Sequence, residues 1–126
     1  MYRQIIATFL VAFATSGVAH EMTPTYPQLE TSHVNGIVKA KMAIFNRRQD
    51  VQFYEIGVFD EEWQPIPFVS SYKLIHLAYL GHLQFDVYIR QKDAARATYV
   101  CSKSRVRDGD SNGTTLASKI CSKFKH

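Results

Sequence analysis

No stretch of the chain holds the roughly 18–20 consecutive apolar residues that a membrane-spanning helix needs, which excludes a multi-span membrane protein. No glycine-rich phosphate loop follows a strand, no Cys–His spacing suits zinc, and no serine or cysteine sits in a nucleophile motif. Acyl- and phosphoryl-transfer chemistry therefore lack their usual residues. Repeats, low-complexity tracts and internal linkers are absent, and strong helical periodicity is missing after the first twenty residues. Hydrophobic residues make up 46% of the chain and charged residues 21%, ordinary globular usage that argues against disorder, collagen or a long coiled coil. At 126 residues there is room for one domain.

What is present begins with an export pattern. Met1-Tyr2-Arg3-Gln4 is a short basic start, residues 5–13 are apolar, and Gly17 and Ala19 satisfy the small-x-small cleavage rule. Residues 1–19 are read as a cleaved signal peptide, leaving residues 20–126 as the mature domain, periplasmic or secreted, without a transmembrane span. Export gives the two cysteines their meaning. Cys101 and Cys121 are expected to pair as a disulfide rather than stay as thiols or hold a metal, since no Cys–His cluster lies nearby. Closing that loop of about 20 residues contributes roughly 3 kcal/mol in the chain-entropy treatment.

The mature chain alternates with period two. The strand Ile37–Phe45 places Val38, Ala40, Met42 and Ile44 on one face and Lys39 and Lys41 on the other. After a polar turn, residues 51–59 form a second strand with Tyr54, Ile56 and Val58 on one face. Residues 63–68, with Pro65 and Pro67, read as an irregular sheet edge, because proline cannot donate to a ladder. Residues 72–90 read as a hairpin turning at Gly81-His82 in a type II′ turn. That register sets Leu80 against Leu83, Ala78 against Phe85, His76 against Val87 and Leu74 against Ile89. A last hairpin joins residues 98–105 to 116–124, with Cys101 opposite Cys121, Val100 opposite Ser122 and Lys103 opposite Lys119. Leu116, Ile120 and Phe124 would face the core, so the disulfide clips the hairpin on its more polar face. Six or seven strands with turns every 8–12 residues predict an all-β fold, a single Ig-like antiparallel β-sandwich of about seven strands.

A Pro-containing leader, a strand ending in Met42-Ala43-Ile44-Phe45-Asn46 and another running into Asp60 resemble the first domain of PapD-like periplasmic chaperones over roughly residues 24–68. The resemblance implies the fold, and binding by strand addition at a sheet edge. Such chaperones have two domains and hold a subunit's C-terminus with basic residues in the cleft between them. A one-domain chain is expected to lack that cleft, so no cleft residue is carried over.

Five clusters are candidates for chemistry. Cleavage after Ala19 would make His20 the first residue, and its amine and imidazole could chelate copper together. Small exported copper carriers and the copper polysaccharide monooxygenases look similar at this one position. They need a further histidine, for which His33, His76 and His82 are available. The run Asp108-Gly109-Asp110-Ser111-Asn112-Gly113 matches half of a calcium loop, with Asp108, Asp110 and Asn112 as oxygen ligands. Its twelfth position is Lys119 instead of a bidentate glutamate, so a polar turn is the plainer reading; Asn112-Gly113-Thr114 is also a glycosylation sequon. Asp60-Glu61-Glu62 beside Trp63 suggests paired carboxylates, but neighbours on a strand point to opposite faces. His76, on the face read as apolar, is taken as a core histidine. The last hairpin carries Lys103, Arg105, Arg107, Lys119, Lys123 and Lys125 with Tyr99 and Phe124 between them, which suits an anionic partner.

The expectation is a non-enzymatic binding or accessory module for a protein or anionic surface partner, not nucleic acid. Its contact residues are Trp63 and Phe68 on the edge and Lys103, Arg105, Lys119 and Lys123 on the hairpin. No cofactor is required; the alternative is a small copper protein built on His20.

Overall fold

The computed structural model describes residues 19–105 and 117–126. Residues 1–18 of the segment 1–19 read as a signal peptide, and the loop with Asp108, Asp110 and Asn112, lie outside the described residues. The described residues form β1 (Glu21–Thr23), β2 (Glu30–Thr31), β3 (Ile37–Phe45), β4 (Phe53–Phe59), β5 (Val69–Ser70), β6 (Leu74–His76), β7 (His82–Arg90), a single helical turn α1 (Gln91–Ala94), β8 (Tyr99–Arg105) and β9 (Lys119–Lys123). One sheet runs β1-β3-β7-β5, with β2 also beside β3; the other runs β6-β4-β8-β9. All these strand pairs are antiparallel. The architecture is an Ig-like β-sandwich with nine strands among the described residues, where the sequence predicts about seven.

The core follows from the alternation. Ala40, Met42 and Ile44 of β3, Tyr54, Ile56 and Val58 of β4, and Phe85, Val87 and Ile89 of β7 are buried in one cluster. Ile75, Val100 and Phe124 complete it from the second sheet. Apart from Ala40, each of these side chains contributes about 1.5–3 kcal/mol on burial. The terminal hairpin has the expected register, with Val100 opposite Ser122, Cys101 opposite Cys121 and Lys103 opposite Lys119. Cys101 and Cys121 are disulfide-bonded across that pair, with Cα atoms 4.1 Å apart.

The hairpin predicted for residues 72–90 does not form. β7 pairs along its whole length with β3, setting Met42 against Phe85 and Ala40 against Val87. β6 belongs to the other sheet and pairs with β4, setting Phe53 against His76 and Tyr54 against Ile75. The turn also sits two residues earlier than expected, at Tyr79-Leu80: the Gly81 N–H donates to Ala78 O at 2.8 Å, and Leu80 takes the positive φ of 62°. Gly81 is needed for space, since a Cβ there would lie 2.8 Å from Ala78 O and 2.9 Å from Leu77 Cδ1. In this register Ile75 is buried, whereas Leu74 and His76 point outward. His76 is therefore not a core histidine: it stacks on Phe53 at 4.7 Å on the outer face. The helical turn α1, unmarked by any periodicity, is held by Asp93, which takes ion pairs from Arg90 at 2.8 Å and Arg96 at 2.9 Å.

Asn46, which closes β3, is fully buried and uses every polar atom it has. Its main chain donates to Gly81 O and accepts from the Leu80 N–H. Its side chain donates to Val51 O and Leu77 O, both at 2.8 Å. Oδ1 accepts from the Arg48 N–H at 2.9 Å and from the Tyr54 hydroxyl at 2.5 Å. One residue thereby ties the end of β3 to β4 and to both sides of the β6–β7 turn.

Candidate functional site

The edge of the second sheet is built along one flank of β4. β6 covers the first half of that flank, and the Ile66 N–H donates to Val58 O at its far end, where Pro65 bridges Phe59. Residues 63–68 thus form an irregular edge, as their prolines predict. Between these two pieces the chain crosses to the first sheet, where β5 pairs with β7. The Ile56 N–H bonds to Lys73 O and the Leu77 N–H to Gln52 O, so residues 73, 75 and 77 turn their polar backbone atoms toward β4. By the alternation of an antiparallel ladder, Leu74 and His76 turn theirs outward, and no strand among the described residues lies beyond them. Exposed apolar side chains flank this open edge: Val69 at 67%, Tyr72 at 44% and Leu74 at 56%. Leu74, read from the sequence as core, and Val69 and Tyr72, not singled out there, are the residues that the sequence reading missed. Phe68 packs half-buried against the core, with Lys73 Nζ 5.6 Å from its ring centre.

The opposite edge is covered at its C-terminal end, where the chain meets the leader: the Lys123 N–H donates to Thr25 O at 3.0 Å and the Lys125 N–H to Pro27 O at 2.9 Å.

On the outer face of the same sheet, Trp63 stacks on Tyr99 at 4.2 Å with rings parallel within 1°. Lys119 Nζ lies 4.7 Å from the Trp63 ring centre and 5.0 Å from that of Phe59. Phe59 folds back over Gly57, where a Cβ would meet the ring at 2.9 Å. Lys103 stands opposite Lys119, Lys123 opposite Tyr99, and Arg105 pairs with Glu55 at 2.9 Å. Of the predicted contact residues, Trp63, Lys103, Arg105, Lys119 and Lys123 share this face; Phe68 does not. The Asp60 carboxylate is spent on its own turn, accepting the Glu62 and Gln64 N–H groups at 2.9 Å each.

His20 is 1% exposed. Its Nε2 faces Ser102 Oγ at 2.7 Å and Ser102 O at 3.2 Å, and its Nδ1 faces Ser118 Oγ at 3.1 Å. A carbonyl only accepts, so Nε2 carries the proton and Nδ1 accepts from the Ser118 hydroxyl. Copper there would require Nδ1 to leave Ser118. Among the described residues no three His, Cys, Asp or Glu side chains converge on a metal position. His76 and His82 neighbour Phe53 and Phe45.

Burial, reinforced by the nearby Arg48 charge and opposed by the Ser102 bond, pushes the His20 imidazole down to about 4. The unfolded chain takes up a proton near pH 6.5 that the folded chain refuses until about pH 4. Stability is thus full above that window and falls as pH drops through it, by about 2 kcal/mol after allowance for solvent screening. Asp50 and Asp93, held low by Arg48 and by Arg96 and Arg90, act at still lower pH. Urea melts at pH 7 and pH 4.5 are expected to differ by this amount more in the natural protein than in His20→Gln.

The class that this geometry defines is the Ig-like sandwich that PapD-like chaperones carry. The chain is similar to the crystal structure of the E. coli chaperone DraB, with a TM-score of 0.63 and 15% identity. The match covers 84% of this chain and 53% of that one, so this chain spans about half the chaperone's length. At that identity the likeness is one of fold. No protein-family model matches the chain, and no curated protein matches it.

Proposed function

We propose that the protein is an exported, non-enzymatic binding module that recognises a protein partner by taking an extended segment of it along β6. The observation that carries this reading is the open edge itself. Leu74 and His76 present outward N–H and C=O groups between exposed Val69, Tyr72 and Leu74. Main-chain bonds give such an interface its affinity, and alternate side chains give it specificity. The disulfide and the apolar N-terminal stretch support export, and the likeness in fold to a chaperone supports a protein partner.

The test is amide hydrogen exchange with the partner recovered by cross-linking from an exporting host. Exchange at Leu74 and His76 is expected to slow when the partner binds. His76→Pro removes one outward donor without touching the β4 ladder and is expected to weaken binding about tenfold. Binding that leaves both amides exchanging at the free rate would reject strand addition.

A further inference from the structure

The outer face of the β6-β4-β8-β9 sheet brings together facing lysines, a strained backbone position and a half-exposed indole. Lys103 and Lys119 face each other directly across β8 and β9, where like charges repel. Trp63 is held at φ 63°, a backbone region that bulky residues avoid. Its indole nevertheless stays 47% exposed, stacked on Tyr99 instead of buried. Among the described residues the carboxylate paired on this face is Glu55, and it serves Arg105. Lys103, Lys119 and Lys123 are left as a row of cations beside an aromatic shelf.

We infer that this face is a binding site for an acidic polysaccharide. Such a polymer joins flat, C–H-lined rings, which pack on an aromatic surface, to carboxylates or sulfates at regular spacing. Lys119 Nζ lies over the Trp63 ring, 4.7 Å from its centre, and this flexible, exposed side chain would swing off the ring to meet the acid group as the sugar takes its place. Lys103, across the strand pair, meets the acid group of the next unit. The shallow groove on this face, lined by Glu55, Phe59, Lys103, Arg105 and Lys119, suits an extended polymer better than a single small molecule. Charge complementarity sets the sign of the ligand, and the Trp63–Tyr99 shelf selects sugar over a simple polyanion.

Trp63 is the single tryptophan of the chain, so its fluorescence reports this site alone. Titration of the disulfide-intact protein with polygalacturonate is expected to give a saturable change in emission, whereas neutral dextran gives none. Lys119→Gln and Lys103→Gln, both at exposed positions, are each expected to weaken binding about tenfold without lowering the thermal melt, since each relieves the Lys103–Lys119 repulsion. Tyr99→Leu, which removes half of the shelf, is expected to weaken polygalacturonate more than poly-glutamate. Equal affinity for poly-glutamate, with Tyr99→Leu without effect, would make the face a plain cation patch and overturn the inference. The absence of any saturable change with polygalacturonate would overturn it as well.

Discussion

Replacing Asn46 with alanine is expected to cost about 4 kcal/mol of stability, more than a typical core truncation of similar size. The loss comes from what is left behind. Val51 O and Leu77 O lose their donors, while the Arg48 N–H and the Tyr54 hydroxyl lose their acceptor. All four stay in a region that water does not reach, and a buried polar group without a partner costs about 1–3 kcal/mol. Asn46→Asp is expected to be as harmful: it keeps an acceptor for Tyr54 but offers no donor to either carbonyl, and it buries a charge. Tyr54→Phe removes only one bond and is expected to cost about 1 kcal/mol. Urea melts of the three variants test this ranking. An Asn46→Ala loss no larger than that of Tyr54→Phe would show that the loop relaxes to let water in.

Removing the disulfide is the second large effect. Cys101→Ala/Cys121→Ala is expected to lose about 3 kcal/mol, mostly through the greater freedom of the unfolded chain. The loop closed by this bond spans 20 residues of sequence. The native hairpin keeps its β8–β9 ladder and the Thr25 and Pro27 contacts without it. The urea dependence is therefore expected to steepen, because a less constrained unfolded chain exposes more surface. A loss of stability with an unchanged slope would assign the effect to native contacts around Cys101, which is itself buried.

The parts of the fold legible in the sequence were those decided by local alternation. β3 declares its two faces through Val38, Ala40, Met42 and Ile44 against Lys39 and Lys41, and its ends fall where the pattern stops. The β8–β9 register follows once Cys101 is set against Cys121. The segment 72–90 was misread because alternation shows which way a side chain faces but not which sheet it faces from. Phe85, Val87 and Ile89 point inward as expected, yet their partners lie more than forty residues back in β3. Gly81 looked like a turn residue chosen for its φ; the positive φ belongs to Leu80, and Gly81 is there for space. The basic face was legible because the hairpin pairs Lys103 with Lys119. That Trp63 joins it was not, since only the fold of the Asp60 turn brings the indole onto Tyr99. The open edge at Leu74 was hidden by the same error that placed β6 in the wrong sheet.

The contacts that close the sandwich join residues 20–27 to residues 118–125. His20 reaches Ser118 across 98 residues of sequence, and Thr25 and Pro27 meet Lys123 and Lys125. Contacts so distant form late, and folds dominated by them assemble slowly, in milliseconds to seconds. The sandwich therefore cannot close until residues 118–125 have been made. Were the chain exported, as proposed above, this delay would leave a polymer thin enough to pass a translocation channel and would postpone the joining of its first and last strands until both are across.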